Sequence, residues 1–115
     1  MAFIDTQARP AGEVQQKVGR IKLSEAIRIG ARIRPQCSAR WFDDDGNSCA
    51  AGAAAEGAGW KEEAEEYERE NHAQPWHLLR EKFGISEDMM DQMWRKNDSG
   101  ESRESIADWL AAQGL

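Results

Sequence analysis

The chain has little cysteine, no long apolar run and no phosphate-cradling glycine loop, and each shortage removes a class of protein. Two cysteines, Cys37 and Cys49, in 115 residues are too few for a disulfide framework, so both are expected as free thiols in a reducing compartment. No segment approaches the roughly 18 consecutive apolar residues of a membrane span. The N-terminus also lacks the charged-then-apolar pattern of a leader. These absences point to a cytoplasmic protein with no membrane contact. Gly52, Gly57 and Gly59 follow no strand pattern and lead to no P-loop lysine, which leaves no nucleotide site to argue for.

Metal and catalytic chemistry fail on spacing. Asp43-Asp44-Asp45-Gly46-Asn47 has the residue types of a calcium loop. Aligning Gly46 with the invariant glycine of an EF-hand, however, puts Trp41 and Gly52 at the first and last ligand positions, where oxygen donors belong. A solvated tight turn is the better account. Cys37, Cys49, His72 and His77 could supply four zinc ligands, but C-x11-C and H-x4-H with 22 residues between them do not form the paired knuckles of zinc modules. Cys49 opens an alanine-rich helix, a position that can lower a thiol pKa, yet no histidine adjoins it. With no constellation for catalysis, the expectation is a protein that is not an enzyme and carries no metal or cofactor.

What is present is tryptophan and segregated charge. Five tryptophans are many for this length, and their rings belong in a core or at an interface. A 40% hydrophobic content with mean hydropathy −0.78 describes a polar globular chain. Its length, at roughly 150 residues per domain, gives one domain. The net charge of −6 conceals a gradient: residues 1–40 hold eight basic side chains against three acids, and residues 41–70 hold ten acids against two bases.

The pattern along the chain is helical. Residues 1–20 show no sustained period and read as an N-terminal arm, with room for a short helical piece near Glu13–Val18. Residues 21–115 read as a single helical domain. Leu23 to Arg34 forms a broad apolar arc with Ser24 as N-cap, and Pro35 stops it. A short extended element near 37–42 precedes the aspartate turn. Ser48 caps a second helix to Gly57, in whose interior Gly52 implies close approach of another backbone, that of the first helix. Trp60 to His72 is a charged surface helix with a narrow stripe of Trp60, Ala64 and Tyr67. Pro75 starts a fourth helix with Trp76, Leu79 and Phe83 on one face and Gly84 as stop. Ser86 caps a fifth with Met89, Met90, Met93 and Trp94 inward, and Ser102 caps a sixth with Ile106, Trp109 and Leu110 inward. The fold class is all-α, a compact bundle of five to six short helices.

Two surfaces are candidates for binding. One is an acidic face of Glu62, Glu63, Glu66 and Glu70, and the other a basic face of Arg20, Arg28 and Arg32. The two can meet each other within the fold, meet across a homodimer, or meet a partner. The last two helices also resemble a helix-turn-helix in outline. Their second member offers Arg103 and Gln113 alongside Glu104 and Asp108, so an ordinary helical hairpin is the simpler reading.

Three blocks, "LSEAIRIGARIRPQC", "SCAAGAAAEGAG" and "KNDSGESRESIADWL", resemble in order a group of small uncharacterised proteins of bacteria and their prophages. That group shows "SEAIRLGA…PQ", "CALGAALEA" and "ND…S…IADWL". The likeness covers residues 23–59 and 97–110. Some members carry zinc-knuckle cysteine pairs before the "ND" block, where this chain has Trp, His and Leu, so the resemblance brings no metal site with it. It implies a phage or mobile-element setting and no activity. The expected function is non-enzymatic: binding and modulation of a host protein, as an anti-defence inhibitor would. The alternatives are a DNA-binding regulator using the last two helices and an acidic nucleic-acid mimic. Nucleic acid itself is not the expected ligand of so acidic a chain.

Overall fold

Residues 21–115 are described by the structure, a computed structural model. The expected arm, residues 1–20, and Arg20 of the basic face lie outside the described residues. Helices cover Leu23–Ala31 (α1), Ala50–Gly57 (α2), Lys61–Asn71 (α3), Trp76–Phe83 (α4), Glu87–Asp98 (α5) and Arg103–Ala111 (α6). The protein is all-α; the extended element near 37–42 amounts to isolated bridges from Ser48 to Gln36 and Phe42. No helix of the described residues is long and apolar enough to cross a membrane.

The helix ends follow local chemistry where a side chain can reach its own first turn. The Ser86 hydroxyl accepts from Met89 N and the Ser102 hydroxyl from Ser105 N, each cap contributing about 1 kcal/mol. Gly84 ends α4 at φ 69°, the left-handed backbone that glycine adopts without penalty. The other two expected caps do not form. Ser24 is buried inside the first turn of α1, whose cap position is Lys22, and the carbonyl of Leu115 accepts its free N–H at 3.2 Å. Ser48 is fully buried; α2 begins at Ala50, whose N–H is met at 2.9 Å by Oδ1 of Asn97, 47 residues away.

α1 also ends earlier than expected, at Ala31 rather than Arg34. A helix carried to Pro35 would ask the Ala31 carbonyl to bond a residue that has no N–H. Instead the chain tightens through Arg32 N to Ile29 O and Ile33 N to Gly30 O, and Ile33 is left 52% exposed.

α1 packs most extensively on α2 and next on α6. The α1–α2 approach is set by glycine: a Cβ at Gly30 would overlap the Ala53 carbonyl, and one at Gly57 would overlap that of Ala26. Gly52, expected to admit α1, instead faces the Trp41 carbonyl and the Phe42 ring. The glycines that let α1 in thus lie in the last turn of each helix, and Gly52 admits the loop.

One apolar cluster draws on all six helices, with Leu23, Ile27, Trp41, Leu79, Met93, Ile106 and Leu110 fully buried. Trp41 lies at its centre, edge-on to Trp60 at 5.9 Å and to Trp76 at 5.2 Å between ring centroids, a favoured aromatic geometry. Its indole N–H is buried without a partner, which costs about 1–3 kcal/mol and is offset by the packing of a fully enclosed ring. Trp94, expected inward beside Met93, is 47% exposed.

Candidate functional site

The acidic helix α3 is held to the core by one side and presents the other to solvent. Ala64 and Trp60 are buried, and the Tyr67 ring packs tilted against His77 of α4, 4.7 Å between centroids. Its inner acids have structural partners. Glu65 pairs with Lys61 at 2.8 Å. Glu68 accepts from Gln74 Nε2 at 2.7 Å, while Gln74 Oε1 accepts from Trp41 N at 3.0 Å, a relay that ties α3 to the central tryptophan.

The outer acids are the four read from the sequence, and all are exposed. Glu63 pairs with Lys82 at 3.1 Å. Among the described residues no ion pair reaches Glu62, Glu66 or Glu70. These three stand one helical turn apart on a single line. Each like-charged i, i+4 pair weakens a helix by about 0.2–0.5 kcal/mol, and Glu70 also sits at the C-terminal, negative end of the helix dipole. Glu62 and Glu63 border an open groove of about 560 Å³ that the Arg34–Glu56 pair also lines.

Of the basic face, the fold engages Arg28. Arg28 is bound to Asp108 of α6 and lies 3.9 Å from Glu104, so it is spent within the bundle. Arg32 is exposed. Arg34, its neighbour, makes a two-pronged pair with Glu56 of α2, at 2.7 and 2.8 Å, which holds its pKa above the ordinary arginine value. The basic segment therefore meets acids of α2 and α6, not the stripe on α3.

Arg103, the basic residue of the helix-turn-helix outline, is turned inward and only 7% exposed. Its guanidinium donates to the Arg34 carbonyl at 2.7 Å, the Ser48 hydroxyl at 2.9 Å, and the Ser48 and Ala31 carbonyls at 3.3 and 3.4 Å. The Ala31 carbonyl is the one Pro35 left without a helical donor. Burial lowers the Arg103 pKa, yet a guanidinium stays charged in a protein. What α6 shows to solvent is Glu104, Ser105 and Asp108, an acidic and polar face.

Around Arg103 runs a polar network that single-sequence reasoning missed. Asn97 is 2% exposed; its amide donates to the Cys37 carbonyl at 2.9 Å while its oxygen receives Ala50 N. Gln36 donates to the Glu101 carbonyl at 2.8 Å and accepts from Arg103 N at 3.2 Å. Asp98 accepts from Ala39 N at 3.1 Å, where Ala39 holds φ 70°. The three sequence blocks around Gln36, Ser48 and Asn97 thus converge on one interior site, and their polar residues are occupied with one another.

The remaining candidates are equally occupied. Cys49 is buried, and desolvation pushes its thiol up to about 12, so at neutral pH it is not a thiolate nucleophile. Cys37 is half-buried, its pKa also raised, chiefly by desolvation. In the aspartate turn, Asp43 accepts from Asn47 N at 2.8 Å and Asp45 N at 3.0 Å. The backbone bond from Asn47 is the main reason its pKa is lowered. Among the described residues no group of three or more His, Cys, Asp or Glu side chains is placed to hold a metal ion. Comparison with family models, with curated proteins and with solved structures finds no match to this chain.

Proposed function

We propose that the protein acts by binding a basic surface on another protein through the exposed acidic line Glu62, Glu66 and Glu70, with Glu63 beside it. The observation that carries this reading is the division of labour on α3. Its inner acids each have a partner, while the outer line accumulates like charge at a cost to the helix and without a counter-ion among the described residues. Such a line offers long-range attraction and orientation to a basic partner. The resemblance to prophage proteins supports a host protein as that partner, bound and modulated without chemistry. A nucleic-acid-binding protein fits the same face, in which case the stripe acts as a mimic and duplex DNA competes with it.

The test compares wild-type protein with the triple variant Glu62→Lys, Glu66→Lys, Glu70→Lys in affinity capture from a bacterial host lysate, followed by titration of the recovered protein. Reversal is expected to weaken binding by at least about 100-fold, since like charges set against each other cost several kcal/mol. Arg32→Glu should leave it intact. Equal recovery by wild-type and triple variant would overturn the assignment.

A further inference from the structure

Three aromatic rings of the molecule carry one of its own lysines over a face. Lys61 lies over Phe42 at 4.9 Å, Lys82 over Trp60 at 5.3 Å and Lys96 over Trp109 at 4.7 Å from the ring centroids. Between α4 and α5, Trp76, Met90, Asp91 and Trp94 line a cleft of about 100 Å³, and among the described residues no lysine or arginine stands over its rings. The two indoles lie 6.2 Å apart between centroids and 48° from coplanar, two walls of a corner. Trp76 is braced from behind by Trp41 at 5.2 Å, while Trp94 stands 47% exposed. Asp91 is half-buried beside them, without an ion pair among the described residues even to Arg95 one turn on.

We infer that this corner is a binding site for an alkylated ammonium head group, of the trimethylammonium type. Indole faces attract cations through their quadrupole, most strongly where the cation is desolvated, and aromatic cages recognise quaternary ammonium in this way. The Asp91 carboxylate adds a full negative charge, and the Met90 thioether adds a polarizable wall. A bare lysine ammonium carries three donors that need acceptors, whereas the cleft supplies one carboxylate. A methylated head group has little or no such demand and sheds water more readily. The volume suits a head group alone, since pockets for drug-sized ligands run to about 300–1,000 Å³. The inference rests on α4 and α5 and is independent of the acidic line on α3.

The test titrates the full chain with choline, with a peptide bearing trimethyllysine, and with 3,3-dimethylbutan-1-ol, the uncharged carbon isostere of choline. Tryptophan fluorescence and indole N–H shifts are the readouts, with sodium chloride as the ionic-strength control. Choline is expected to bind saturably and at least about tenfold tighter than its neutral isostere. Trp94→Ala should abolish binding while leaving the melting temperature close to wild type, and Asp91→Asn should weaken it several-fold without affecting folding. Tighter binding of the peptide than of choline identifies a protein side chain as the ligand, and equal binding a free small molecule. Equal binding of choline and the isostere, no saturable response to any cation, or full binding by Trp94→Ala would each overturn the assignment.

Discussion

Arg103→Ala is expected to destabilise the protein by about 3–5 kcal/mol, a large part of the 5–15 kcal/mol by which domains are typically stable. The guanidinium satisfies the Ala31 and Arg34 carbonyls and both oxygens of Ser48, in a place water does not reach freely. Truncation removes the donor from the Ala31 and Arg34 carbonyls and the Ser48 hydroxyl, each at about 1–3 kcal/mol where no water replaces it, while the Ser48 carbonyl keeps Cys37 N at 3.0 Å; it also opens a cavity. Among the described residues no carboxylate pairs with this charge; carbonyl dipoles surround it, two of them at and just beyond the negative end of α1. Arg103→Lys should recover less than half of the loss, because a point ammonium cannot span acceptors that a planar fork reaches together. Urea denaturation measures both variants, and a midpoint unchanged in Arg103→Ala would show that the network is not holding α1, α2 and α6 together.

Gly30→Ala should also destabilise, by at least about 3 kcal/mol, against the ordinary trend. In an unobstructed helix this substitution gains up to about 1 kcal/mol. Here the new methyl would enter the Ala53 carbonyl, backbone that cannot swing aside, so α1 and α2 must separate along the most extensive helix–helix contact of the fold. Gly57→Ala should behave alike through the Ala26 carbonyl. Because one separation relieves both overlaps, the double variant is expected to lose less than the two singles together. A stabilised Gly30→Ala protein in the same urea series would contradict the tight approach.

These two residues mark the boundary of what can be read from a single sequence. The Ser86 and Ser102 caps were legible because donor and acceptor lie three residues apart and need no knowledge of the rest of the chain. The outer acids of α3 were legible because such charge density cannot be buried. The principle that a glycine inside a helix implies a close neighbour was right, but its application to Gly52 named the wrong neighbour, since nothing local tells a loop from a helix. Arg103 read as an outward base because its partners lie 55 to 72 positions away, and the partner of Arg28 could not be named because Asp108 lies 80 away. Trp94 fits an inward helical period yet is 47% exposed, because the inward face of α5 is set by Met93 and Asn97, whose partners lie elsewhere in the chain.

The reach of the Arg103 network also bears on how fast the molecule assembles. Helical bundles usually fold quickly because their contacts are close in sequence, and speed falls as contacting residues grow farther apart. Here the hydrogen bonds that join the end of α1, the start of α2 and the start of α6 close loops of 55 to 72 residues, each with an entropic penalty that must be met before the bond forms. They are expected to form on the native side of the rate-limiting barrier. Loosening them should therefore quicken unfolding far more than it slows folding, so that the lifetime of the native state, rather than the ease of reaching it, is what this buried arginine governs.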